Sequence, residues 1–121
     1  MGRRREALRL LLVARRGAID VRRRALVQLR SMIVTAPDRL RAELEALPER
    51  RLLDRCSHFR RSSSCPVDEL ATKLVLRTLA RRIEAATSEA EQLEREILRH
   101  VRMLAPQLLD EPGIGRSSPQ T

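Results

Sequence analysis

Between Pro66 and Ala105 the apolar residues fall at Leu76, Leu79, Ile83, Ala86, Ala90, Leu93, Ile97 and Leu104, with His100 the one polar residue on the stripe. The steps alternate between three and four, which is the a/d register of a heptad repeat. No Gly falls inside the stretch, and no Pro lies between Pro66 and Pro106. The pattern predicts one long coiled-coil helix over 66–106, with this stripe as its seam. Ser64 or Cys65 stands at the expected N-cap and Pro66 at the first helical position. Asp68 and Glu69 lie at the positive end of the helix dipole. Roughly forty residues at about 1.5 Å each give a rod of roughly 60 Å. A seam that long calls for a partner, either another helix of this chain or a second copy of it.

The opening segment is also helical in pattern. Leu12, Ile19, Leu26 and Ile33 recur at sevens, with Leu11, Ala18, Ala25 and Met32 beside them and Leu8 and Leu29 extending the stripe. This predicts a long basic amphipathic helix over 1–36. Arg15 and Arg22 fall where a strict heptad wants apolar side chains, so they either lie along a partner helix or reach toward an anion. Gly17 inside the helix is expected to mark a close crossing. Residues 37–65 then read as two short helices and a polar loop. Pro37 follows Thr35 in a capping-box-like spacing with Asp38, and Leu40, Leu44 and Leu47 form one stripe. Pro48 restarts the chain, and Leu52, Leu53, Cys56 and Phe59 form another, before Arg60–Pro66 loops into the long helix. Residues 107–121 read as a Gly-Ile-Gly turn and a disordered tail. The fold class predicted is all-α: two long helices in an antiparallel hairpin or coiled coil, two short helices between them, and that tail.

Charge sharpens the picture. The net charge is +9, and Arg supplies 24 of the 25 basic residues. Residues 1–36 hold ten Arg against Glu6 and Asp20, whereas 62–121 hold eight basic and nine acidic residues. A positive field that belongs to the N-terminal half points to phosphate, so Arg9, Arg15, Arg16, Arg22, Arg23, Arg24 and Arg30 of the first helix are the candidate contacts to nucleic acid, structured RNA or DNA. The alternative is a solvated basic face in a chain whose composition favours Arg over Lys. Phe59 is the only aromatic, so a membrane interface lacks its usual anchors.

Little in the sequence suggests a catalyst. Ser62, Ser63, Ser64, Ser117 and Ser118 have no base spaced to activate them, and the acids are scattered. No catalytic residue, cofactor or small-molecule substrate is expected. Cys56 and Cys65 read as free thiols in a reducing compartment, and with His58 they match no common zinc spacing. No metal site is expected. The short run Leu10–Ala14 is cut off by Arg15-Arg16 and is neither a signal peptide nor a membrane span, so a cytoplasmic location is expected.

Several segments together resemble a known family. Arg5-Glu6-Ala7-Leu8-Arg9-Leu10-Leu11-Leu12-Val13-Ala14-Arg15-Arg16-Gly17-Ala18, then Val34-Thr35-Ala36-Pro37, Leu76-Arg77-Thr78-Leu79-Ala80-Arg81-Arg82-Ile83 and Pro112-Gly113-Ile114-Gly115 resemble the central region of the IS-one-ten family of transposases, in order and spacing. In that family an acidic, metal-binding nuclease-like domain precedes a helical coiled-coil region, and a domain bearing a catalytic serine follows. The family's members assemble as dimers or tetramers around a structured RNA. The resemblance covers residues 5–115 and carries none of the catalytic residues, and Arg116 stands where the family usually has Pro. It implies a truncated, inactive transposase fragment that keeps the oligomerising and nucleic-acid-contacting part, homo-oligomeric through the coiled coil. The alternative is a stand-alone basic helical protein that binds RNA or DNA, or that joins a full-length transposase and regulates it.

Overall fold

Three prolines set where the helices begin. Pro37, Pro48 and Pro66 each stand immediately before a helix, and their carbonyls accept the N–H of Arg41, Leu52 and Leu70, each at 2.8 Å. A proline fits there because its fixed φ suits a helix entry and its missing N–H is not needed. The computed structural model describes residues 2–110, and among them every regular element is a helix: α1 (Gly2–Val34), α2 (Asp38–Glu45), α3 (Glu49–Ser57) and α4 (Val67–Asp110). No helix among the described residues is long and apolar enough to cross a membrane.

Several local expectations need correction. Pro37 is the N-cap of α2, and no side chain caps that helix. Thr35 instead donates its hydroxyl to the Met32 carbonyl at 3.3 Å, closing the end of α1. Pro66 likewise lies outside α4, and Ser64 bonds Ser62 at 2.9 Å. At its other end α4 does not stop at Pro106 but continues to Asp110 with Pro106 inside it. One proline removes one donor without ending a helix whose other bonds persist. The turn Pro112–Gly115 and the tail 116–121 lie outside the described residues. Gly17 is no close crossing, since a Cβ built there meets nothing within 4 Å. On the exposed side of α4 Arg99 reaches Glu96 at 3.6 Å.

The described residues divide into two compact units, 18–88 and 2–17 with 89–110. The core lies in the first of these. Ala25, Leu29 and Ile33 of α1, Leu40 and Leu44 of α2, Leu52, Leu53 and Cys56 of α3, and Leu76, Leu79, Ala80 and Ile83 of α4 form one buried cluster, joined by Ala36 and Phe59. Each fully buried Leu or Ile there is worth about 1.5–3 kcal/mol. Polar bonds bind the same layer together. Arg77 Nη1 donates to the Phe59 carbonyl at 3.2 Å and Arg81 Nε to the Ser57 carbonyl at 3.0 Å, so two cations of α4 satisfy acceptors left open at the end of α3. Lys73 lies 3.3 Å from Glu69 and 5.4 Å from the centre of the Phe59 ring.

The predicted apolar face of α1 is shielded on one side only: Ile33 of the sevens is buried and Leu26 half-buried, but the other two sevens are not. Leu12 is 47% and Ile19 38% exposed, while Ala18, Ala25, Leu29 and Ile33 are buried. The shielded positions run 4, 8, 11, 15, 18, 22, 25 and 29, one residue earlier than Leu12–Ile19–Leu26. The small Ala18 and Ala25 replace the branched Ile19 and half-buried Leu26 at the contact, and three arginines occupy the stripe. In that register Arg4 meets His100 and Arg22 meets Thr87 and Glu49, while Arg15 is only partly partnered, by Glu94.

Candidate nucleic-acid interface

The structure divides the seven candidate arginines by what they touch. In the unit 18–88, Arg22 is committed. Its Nε donates to Thr87 Oγ1 at 2.9 Å and its Nη2 to Glu49 at 2.8 Å. Arg30 donates to the other oxygen of Glu49 at 2.9 Å, so one carboxylate of α3 holds two guanidinium groups of α1. Arg30 and Glu49 also edge a cavity of about 390 Å³ walled by Ile33, Leu44, Leu47 and Leu52. Arg23 reaches only Asp20, one turn back, at 3.5 Å, and stays exposed. Arg24 is exposed and makes no hydrogen bond or ion pair among the described residues.

In the other unit, Arg15 is drawn inward. Its Nη2 lies 3.8 Å from Glu94, and its Nε is buried with no hydrogen-bond partner, a cost of about 1–3 kcal/mol. Arg4, which the sequence reading did not single out, donates to Nδ1 of His100 at 3.1 Å. His100 therefore presents that nitrogen as an unprotonated acceptor. Arg9 is exposed and bonds Glu6 through two nitrogens, at 3.2 and 2.6 Å. This pair holds the Glu6 carboxyl below its ordinary range and raises the Arg9 guanidinium. Arg16 is exposed and makes no hydrogen bond or ion pair among the described residues.

An outer set therefore emerges, comprising Arg9, Arg16, Arg23 and Arg24. Each is exposed and held at most by an acid one turn away on the same helix. Arg15, Arg22 and Arg30 are bonded to other helices. On a helix whose buried stripe includes positions 11, 15, 18 and 22, positions 9, 16 and 23 project to the far side. The outward presentation is thus a consequence of the register.

The coiled-coil seam divides in the same way. Leu76, Leu79, Ile83 and Ala86 are buried, and Ala90, Leu93, Ile97 and Leu104 are partly exposed.

The thiols and His58 have other occupations. Burial pushes the Cys56 thiol up to about 11, with Glu43 adding to the effect. Burial, then the hydrogen bond to Glu69 at 3.3 Å, raises Cys65. His58 Nδ1 donates to the Asp54 carbonyl at 2.7 Å. No group of three or more His, Cys, Asp or Glu side chains that could hold a metal ion occurs among the described residues. Compared with known proteins, the chain matches no family model, and no curated protein or solved structure is significantly similar to it.

Proposed function

We propose that this chain is a non-catalytic helical module of the cytoplasm that holds nucleic acid by its phosphate backbone through the outer arginines of α1. One observation carries this reading. The helix with ten arginines and two acids turns Arg9, Arg16, Arg23 and Arg24 to solvent, as it does Arg3 and Arg5, while Arg4, Arg15, Arg22 and Arg30 reach other helices. Arginines needed only to hold the fold would be expected among the bonded set. The reading also takes α1 and α4 to run antiparallel as an intrachain hairpin. Its support is that Arg4 meets His100 while Arg15 meets Glu94, so rising numbers on α1 pair with falling numbers on α4. The ordered likeness to the central region of IS-one-ten transposases fits such a module and adds the expectation of a structured RNA as the partner. On this reading these helices correspond to the part of that machinery that holds nucleic acid.

The test is a binding titration of a labelled RNA hairpin and a DNA duplex at several salt concentrations. Each phosphate contact contributes about 0.9 to the slope of log K against log salt on duplex DNA. Replacing Arg16, Arg23 and Arg24 together by Ala should flatten that slope by about 2.7. Arg22→Ala should act through stability instead and leave the slope of the folded protein in place. A wild-type affinity that does not respond to salt would remove the nucleic-acid reading.

A further inference from the structure

Within the unit 18–88, most arginines either meet an acid or stand free in solvent. Arg22, Arg30, Arg41 and Arg55 each meet a carboxylate. Arg77 and Arg81 of α4 do neither. Both are bonded across to the end of α3, and what they meet there is a neutral carbonyl, that of Phe59 at 3.2 Å and that of Ser57 at 3.0 Å. Neither makes an ion pair among the described residues. A guanidinium carries several N–H donors in a rigid fork, and each of these two spends only one on the fold. Their positions are fixed while their charges lack a counter-charge. That is the preorganised condition for holding an anion.

The chain brings two more cations to the same place. Arg60 follows Phe59 directly, so its Cα lies about 3.8 Å from that of Phe59, and Arg61 comes next. Both are exposed and make no hydrogen bond or ion pair among the described residues. The opposing charges are fewer. Asp54 lies near the end of α3 and is engaged with His58 at 3.6 Å. Glu84 shares the face of α4 with Arg77 and Arg81, and Glu69 is held by Lys73 and Cys65. The end of α3 adds about half a negative charge. The guanidinium groups of Arg60, Arg61, Arg77 and Arg81 outweigh Asp54, Glu84 and that helix end together. Two fixed forks match the oxygens of a phosphate, and two adaptable side chains can close over it. We infer that Arg77 and Arg81, with Arg60 and Arg61, form a phosphate-binding site at the joint between α3 and α4, built on elements other than α1. Its ligand is a phosphate group, carried either by a nucleic-acid backbone or by a free nucleotide.

The experiment is calorimetric titration of the full chain with inorganic phosphate at constant ionic strength. The wild type is expected to bind a single phosphate with a Kd on the order of a millimolar or below. Arg60→Gln/Arg61→Gln replaces exposed, unbonded side chains and should weaken binding at least about tenfold with unchanged helical circular dichroism. Arg77→Lys/Arg81→Lys keeps both charges, loses the forks and should weaken it as well. Arg50→Gln/Arg51→Gln removes the same charge from exposed positions at the start of α3 and should leave the affinity in place. Equal losses in the two Gln pairs overturn the site, because net charge alone then explains the binding. A wild type that takes up no phosphate at about ten times that concentration overturns it too. A labelled RNA hairpin separates the sources of the phosphate. A weaker complex with Arg60→Gln/Arg61→Gln assigns the site to a nucleic-acid backbone, and an unchanged complex beside intact phosphate binding by the wild type assigns it to a free nucleotide. Hairpin binding that ignores salt, with phosphate still held here, removes the reading of α1 and leaves this site standing.

Discussion

Between Ala18 and Ser88, α1 and α4 bury Leu29, Leu76 and Ile83 completely. Over residues 2–17 and 89–106 the same two helices bury no side chain to that degree. The apolar content of the second region is not the reason, since Leu8, Leu11, Leu93, Ile97 and Leu104 supply it. The first region adds α2 and α3, whose Leu40, Leu44, Leu52 and Leu53 close over the pair. A third layer, rather than a better heptad, separates a dry core from a half-wet seam. The arginines follow the same rule. Where α3 is present, Glu49 satisfies Arg22 and Arg30 at 2.8 and 2.9 Å. Where it is absent, Arg15 has Glu94 at 3.8 Å and a buried nitrogen without a partner.

The comparison makes quantitative predictions. The largest effect is expected from Leu44→Ala, which empties a fully buried site and should cost about 2–5 kcal/mol. Ile97→Ala, on the half-shielded seam, should cost well under half of that in chemical denaturation. Equal losses would dissolve the distinction between the two regions.

Next comes the alkaline response of the dry region. Cys56 ionises near 11 when folded, against 9.0 ordinarily. The unfolded chain therefore gives up its thiol proton first, and stability should fall as pH rises from about 9 to about 11, by about 2–3 kcal/mol. Cys56→Ala should remove that slope. Below pH 8 the thiol should resist alkylation until the protein unfolds.

Arg22→Ala should cost about 1–3 kcal/mol because it leaves Glu49 with one partner fewer and Thr87 without its donor. Arg16→Ala should leave the midpoint of thermal unfolding unchanged. The smallest effect has the opposite sign. Gly17→Ala should stabilise α1 by about 0.5–1 kcal/mol, since the added methyl meets nothing and helix propensity rises. A loss of stability there would mean that Gly17 is packed against something.

Much of this was legible along the chain, and the exceptions share a cause. On α4 the residues Leu76, Leu79, Ile83 and Ala86 keep an unbroken step of three and four with Arg77, Thr78, Arg81, Arg82 and Glu84 between them, so the phase of the helix is legible. On α1 the residues Leu10, Leu12, Val13, Ile19, Val21 and Val27 are all exposed. A helix that is apolar around much of its circumference offers several stripes of similar merit, and the partners that Arg4, Arg15 and Arg22 meet go with the one adopted. Those partners, His100, Glu94, Thr87 and Glu49, lie far off in sequence. Arg77 and Arg81 escaped notice for the same reason, because the carbonyls they hold belong to α3. Of the candidate arginines, the outward phase of Arg9, Arg16 and Arg23 follows from spacing alone once the register is known, whereas the engagement of Arg22 and Arg30 with Glu49 does not.

Lys73 has a practical consequence. It is the only lysine in the chain, and it lies between the Glu69 carboxylate and the Phe59 ring in the unit that holds the core. Reagents that acylate amines normally scatter over a protein surface. Here they meet a single side-chain target, so a broad chemical label becomes a local one, reporting on the joint between α3 and α4.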